Sequence, residues 1–158
     1  MLKTKNIYFN RFVQLIEKDH QIITDRFIND LIKNPDTQAY HNIDIKSIYE
    51  DSDKIYRDLS IFISSDYPKK KIEEVYTNKG KDRLDHGIPF SQVQKAITLQ
   101  KRHLWLYVLD KLYDDSTAYR DAIELNNRVL LFFDRATFYI LKGYEEFFYK
   151  KFWNFPGN

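Results

Sequence analysis

The sequence contains no cysteine. That excludes a disulfide framework, a thiolate nucleophile and a cysteine-ligated metal site, and it fits a reducing compartment such as the cytosol. Glycine and proline are scarce, at 4 each in 158 residues, which argues against turn-rich sheet and for long helices. No apolar run approaches the roughly 18 residues of a membrane span. The longest, Val129 to Phe133, is a short piece of an amphipathic pattern. The N-terminus, MLKTKNIYFNRF, is charged and interrupted, without the apolar core or small-residue cleavage site of a secretory leader. Charge of one sign is missing too. The 25 basic and 23 acidic side chains leave +2, too little to drive binding to nucleic acid or insertion at an anionic membrane. The triplet Lys69, Lys70 and Lys71 reads as a solvated helix start. A single cytoplasmic domain over 1–158 is expected.

Signatures of catalysis are absent as well. There is no Gly-x-Ser-x-Gly, no phosphate-binding glycine loop and no dinucleotide fingerprint. Asp134, Glu145 and Glu146 fall among Arg135 and Lys150, where surface pairing accounts for them. The chain is expected not to be an enzyme.

Aromatic residues are abundant: 12 Tyr, 12 Phe and 2 Trp make up 16% of the chain. They imply a thick core, a sizeable interface, or both. Apolar residues recur at spacings of three and four, which predicts an all-α fold of about five helices, a bundle or globin-like domain. The first helix covers 5–33, with Phe9, Val13, Ile16, His20, Ile23, Phe27 and Leu31 on one stripe, and ends at Asn34-Pro35. The second covers 44–65, capped by Asn42 or Asp44. The third covers 68–86, with Ile72, Val75, Tyr76 and Leu84 apolar, Gly80 weakening its middle and Gly87 terminating it. The fourth covers 91–113, with Ser91 as N-cap and a stripe of Val93, Ile97, Leu104, Val108 and Leu112 interrupted by Gln100. The fifth covers 117–152. Its apolar face is wide, which implies contacts on more than one side, and Gly143 on that face lets another backbone come close.

Four histidines are candidate ligands or phosphoacceptors. His20 lies in an apolar stripe, where a packed, hydrogen-bonded imidazole is the simpler account than a metal or haem ligand. Glu17 and His20 form one Glu-x-x-His, but di-iron bundles need two. His86 adjoins Gly87 at a helix end, where it complements the helix dipole. His103, beside Lys101, Arg102 and Trp105, is a surface or interface residue or a phosphoacceptor, and His41 falls in a loop without a pattern.

Two stretches carry a family resemblance. One is Lys81-Asp82-Arg83-Leu84-Asp85-His86-Gly87-Ile88-Pro89-Phe90-Ser91-Gln92-Val93, continuing through Leu99, Arg102 and Trp105. The other is Leu130-Leu131-Phe132-Phe133-Asp134-Arg135-Ala136 with Gly143-Tyr144-Glu145. Together they resemble the N-terminal sensory domains of the RsbT co-antagonist (RsbR/RsbRD) family of stressosome sensors. The resemblance covers roughly the second half of the chain. It implies a globin-like, non-haem, often dimeric sensor in a stress response, feeding a signalling partner. In that family a STAS domain usually follows, and the sequence to Asn158 contains none. At the turn, Arg83 falls where haem globin sensors carry their iron-binding histidine, and a guanidinium has no lone pair for iron. No cofactor is therefore expected, with haem on His20 or His86 as the alternative.

A signal-sensing domain follows as the expected function, acting through a homodimer or partner interface. Its expected site residues are Arg83 and Asp134 as polar anchors, Gly87 as the turn, Trp105 and Tyr144 as packing or interface groups, and Arg102 and Arg135. The rivals are a haem- or small-ligand-binding globin and a histidine phosphotransfer bundle.

Overall fold

The computed structural model describes residues 7–111 and 119–152. Every regular element among them is helical: α1 (Ile7–Lys18), α2 (His20–Leu31), a 3-10 helix (Pro35–Tyr40), α3 (Lys46–Arg57), α4 (Leu59–Phe62), α5 (Lys69–Asp85), α6 (Phe90–Lys111) and α7 (Tyr119–Phe152). The all-α class is observed, and no helix of the described residues is long and apolar enough to cross a membrane. The expected helix limits at residues 5, 113 and 117, the break at 114–116 and the stripe residue Leu112 lie outside the described residues.

Among the described residues, eight helical segments replace the expected five. Each of the first two expected helices is divided at an aspartate whose backbone leaves the helical region, Asp19 at φ −104° and Asp58 at φ −109°. Helical hydrogen bonding nevertheless runs on. Asp19 N bonds Leu15 O at 3.0 Å, Ile23 N bonds Asp19 O at 3.2 Å, and Asp58 N bonds Lys54 O at 2.9 Å. These are bends, held from outside the helix. The Tyr107 hydroxyl, from α6, donates to the Asp19 carboxylate. Near the second bend, Ser60 N donates to the Glu17 carboxylate of α1 at 2.8 Å. The 3-10 helix is a local product: Asn34 accepts from Asp36 N at 3.0 Å, Pro35 follows, and the buried Thr37 hydroxyl donates to Leu31 O at 2.7 Å.

The most extensive helix pair is α5 with α7, and two glycines make it. A Cβ on Gly80 would stand 2.2 Å from Ile140 O, and one on Gly143 would stand 2.3 Å from Thr77 O. The close approach expected at Gly143 is thus present. Gly80 is not a weak point, as expected, but the facing half of the same contact. Beyond it, α5 ends as anticipated at Gly87, whose φ is 70°. Gly87 N bonds Leu84 O at 2.9 Å and Ile88 N bonds Arg83 O at 3.0 Å, the paired bonds of a Schellman motif. Ser91 is not the cap of α6: the helix starts one residue earlier, with Pro89 O accepting from Gln92 N and Val93 N. Val75 lies outside the core that Ile72 and Tyr76 enter.

The second packing unit is α2, wedged against α3 and α6. Its apolar side buries Ile23, Phe27, Ile28 and Leu31, each contributing about 1.5–3 kcal/mol. Its flanks are pinned by polar bonds. On the α3 side, His20 Nδ1 lies 2.6 Å from Asp53 Oδ1, the Thr24 hydroxyl donates to the same oxygen at 3.2 Å, and the Tyr49 hydroxyl donates to Asp25 at 2.8 Å. On the α6 side, Asp30 Oδ2 lies 2.8 Å from His103 Nε2, and at the other end of α2 Asp19 accepts from the Tyr107 hydroxyl. The fully buried tyrosine rings find polar partners in the same way, as Tyr56 does by donating to Gln100 O at 2.5 Å.

Candidate functional site

Helices α5, α6 and α7 enclose two hollows, one on each side of the Arg83–Gly87 turn. The first is an interior cleft of about 60 Å³ reaching to the 3-10 helix and α3. Lys79 and Arg83 project into it from α5 and share a carboxylate: Lys79 Nζ lies 3.2 Å and Arg83 4.0 Å from Asp51 Oδ2. Arg83 also holds Asp82 at 2.6 Å and bonds the Tyr40 hydroxyl. Burial pushes the Tyr40 hydroxyl up to about 12, and the Arg83 charge offsets part of that rise. Burial likewise lowers the Lys79 ammonium, against the pull of Asp51. Gln100 closes the cleft from α6, and its side-chain nitrogen is buried without a partner.

The second hollow, about 450 Å³, is apolar and open to the outside. Leu84, Ile88 and Phe90 form one wall, and Leu141, Tyr144 and Phe148 of α7 form the other. Tyr144 is fixed there by its hydroxyl, which donates to Ile88 O at 2.6 Å, and by an edge contact with Phe90.

The expected site residues divide between these places and others. Arg83 lies in the cleft; Gly87 and Tyr144 border the apolar hollow. Arg83 is near enough to act electrostatically on Tyr144. Asp134 borders a separate shallow groove with Thr98, Lys101 and Phe138. Arg102 is exposed and acts on Asp30 instead. Trp105 is half-buried against the core, with its indole nitrogen buried and unpartnered, and Arg135 is half-buried on α7. The seven therefore do not form one site.

The histidines are engaged locally. His20 bonds Asp53, His86 Nδ1 lies 2.7 Å from Asp82 O, and His41 Nε2 lies 3.0 Å from Asn34 O. His103 is half-buried, with its side chain turned against Asp30. Among the described residues, no three His, Cys, Asp or Glu side chains gather as a metal ion would need.

Sequence reasoning passed over Lys79, Asp51 and Tyr40, and took Gln100 only as a gap in a stripe. They come from four elements, and each is ordinary in its own segment. The one available signal was Gln100, a polar residue in line with Val93 and Leu104. No protein-family model, characterised protein or solved structure matches this chain.

Proposed function

We propose that this chain is a non-enzymatic regulatory domain of the sensory kind, signalling by pairing with a second copy of itself along the outer face of α7. One observation carries the proposal. Leu131, Asp134, Phe138, Leu141, Glu145, Phe148 and Phe152 follow one another at alternating steps of three and four. Leu131, Phe138, Phe148 and Phe152 are each roughly half exposed or more. A single exposed phenylalanine needs no explanation. A line of them at the seven-residue repeat of a coiled-coil seam does. The face that packs on α5 is a different one, through Phe132, Ile140 and Gly143.

The two acidic interruptions select the orientation. Parallel pairing sets Asp134 against Asp134 and Glu145 against Glu145. Antiparallel pairing centred on Leu141 sets Asp134 opposite Phe148 and Glu145 opposite Phe138, which keeps like charges apart. It also aims Phe138 of a second copy toward the apolar hollow at Phe90. The globin-like sensory architecture implied by the resemblance of 81–105 and 130–145 to stressosome sensors belongs to the same proposal.

Sedimentation of the wild-type chain is expected to show a dimer, and Phe138→Glu a folded monomer. Because the chain has no cysteine, a Leu131→Cys chain mixed with a Phe152→Cys chain reports the geometry. Antiparallel pairing joins the two in a mixed disulfide. A wild-type monomer at every concentration would refute self-association, and a Leu131→Cys chain that crosslinks only to itself would refute the orientation.

A further inference from the structure

The apolar hollow beside the Arg83–Gly87 turn has the size and lining of a ligand site. Its volume of about 450 Å³ falls within the roughly 300–1,000 Å³ of small-molecule pockets. At the ~30 Å³ that one water takes in the liquid, there is room for about fifteen heavy atoms, less what stays in the open mouth. Four rings border it. Phe90 and Tyr144 meet in one edge contact at 6.5 Å, and Phe148 and Tyr149 in another at 6.2 Å. Phe90, Phe148 and Tyr149 are 64%, 46% and 50% exposed, so ring surface on both walls stands in water. An occupant that covers it gains that apolar area.

The charge along these walls is of one sign. Among the described residues, Glu145 alone borders the hollow with a full charge at neutral pH, and it is exposed. The neighbouring cations are turned to other partners. Lys81 and Lys150 sit over the Phe147 ring at 4.7 Å and 5.3 Å, Lys142 lies 3.9 Å from Glu73, and His86 Nδ1 lies 2.7 Å from Asp82 O. Arg83 is held in the interior cleft by Asp51 and Asp82. Donors of the turn are spent as well: Gly87 N on Leu84 O, Ile88 N on Arg83 O and the Tyr144 hydroxyl on Ile88 O, while Pro89 has no N–H. The end charges of α5 and α6 meet at this turn with opposite sign and largely offset each other. An anion would therefore meet rings and a carboxylate. A cation meets ring faces that attract it and a counter-charge at the rim.

We propose that this hollow binds an aromatic organic cation of about a dozen heavy atoms, its ring between Leu84 and Phe90 on one wall and Phe148 on the other, its ammonium against Glu145. Binding does not rest on pairing through α7. Its consequence does: antiparallel pairing brings Phe138 of a second copy to the same wall, so cation and second copy exclude each other. The ligand is then the signal that separates the pair.

The probe is benzyltrimethylammonium chloride, titrated into the full, nitrogen-15-labelled chain at an ionic strength held constant by sodium chloride. Sodium phenylacetate serves as the anionic counterpart. Saturable shifts of the Gly87, Ile88 and Tyr144 amides are expected, with phenylacetate about tenfold weaker. Glu145→Gln keeps the shape and removes the charge. It is expected to weaken the cation about threefold and to leave phenylacetate as tight or tighter. Phe90→Ala, at an exposed position, removes part of one wall and is expected to weaken the cation about fivefold. Should one variant fail to fold, the other decides. The site is overturned by no saturable shift at the turn, by phenylacetate binding as tightly, or by wild-type affinity for the cation in a folded variant. Sedimentation of the wild-type chain reads the consequence, a dimer alone and a monomer with saturating cation. A dimer unchanged by the cation refutes the competition, and a monomer under both conditions refutes the pairing while the titration still judges the site.

Discussion

Adding one methyl group at Gly80 or Gly143 sets two effects of opposite sign against each other. Helix propensity alone favours alanine over glycine by about 1 kcal/mol in a helix interior. Packing opposes it. The new Cβ would stand 2.2 Å from Ile140 O in one case and 2.3 Å from Thr77 O in the other. Ordinary C···O separations start near about 3.3 Å, so the two helices must part by roughly 1 Å. The atoms in the way are backbone, so no rotamer change relieves the clash. A parting of that size forfeits about a quarter to a half of each dispersion well along the seam. Overpacking in a closed core costs about 1–3 kcal/mol and occasionally more, and a rigid backbone contact belongs at the upper end. The net expectation is a loss of about 2 kcal/mol for each substitution, or roughly 4–8 °C in Tm for a chain of this size. Thermal and urea unfolding followed by circular dichroism measure it. The double variant adds a sharper condition. Gly80 faces Gly143 across the seam, its built Cβ lying 3.3 Å from Gly143 Cα. The parting made for one methyl therefore accommodates the other, and the double loss falls well short of the sum. A gain of about 1 kcal/mol in either single variant, as propensity alone gives, would refute the backbone contact.

Alkaline pH is expected to unfold the chain cooperatively. Burial holds the Tyr40, Tyr49 and Tyr107 hydroxyls up at about 12, with Asp25 and Asp19 adding to the rise at the last two, and holds Tyr56, Tyr76 and Tyr144 higher than their ordinary 10. Folded values above unfolded ones mean stability that is complete below pH 10 and lost on rising through 12. Tyrosinate absorbance should grow in step with unfolding, and full ionisation near pH 10 with the helices intact would contradict this. At acid pH the relevant group is Asp30. Burial alone would raise its carboxyl, but the His103 and Asn34 bonds and the charges of His103 and Arg102 outweigh that and hold it below its ordinary 3.8. A depressed folded value means stability present above pH 3.8 and lost as pH falls below it. Asp30→Asn should therefore unfold at lower urea than wild type at neutral pH, with the gap closing in acid; a gap constant with pH would count against the pairing. Finally, Gly87→Ala forces a side chain into the left-handed region and should lower stability by about 1–2 kcal/mol, with Gly87→Asn less damaging in the same melts.

What the sequence made legible was what local chemistry decides. Periodicity with few breakers gave the helical class and the long C-terminal helix, and Gly87 gave the end of α5. Gly143 was readable because a glycine on an apolar face has a restricted set of uses. The bends at Asp19 and Asp58 were not legible, since no breaker stands there and the Asp19 bend is held by Tyr107, far along the chain. The interior cleft escaped for the same reason. Lys79 looks like any helical lysine until α3 brings Asp51 beside it, and Tyr40 looks like a loop residue until the 3-10 helix turns it inward. The expected site residues came from a pattern along two stretches of chain, and the fold distributes that pattern over an interior cleft, an apolar hollow and the outer surface.

The polar clamps on both flanks of α2 bear on how this protein can change over time. They act at positions 19, 20, 24, 25 and 30 and reach two different neighbours. Inserting or deleting one residue inside α2 would turn everything beyond it by about 100° and detach the later clamps together. The apolar side of the helix tolerates exchange among residues of similar volume. Its length is therefore the constrained quantity: relatives of this chain should vary freely in which hydrocarbon they bury there and hardly at all in the number of residues between Asp19 and Asp30.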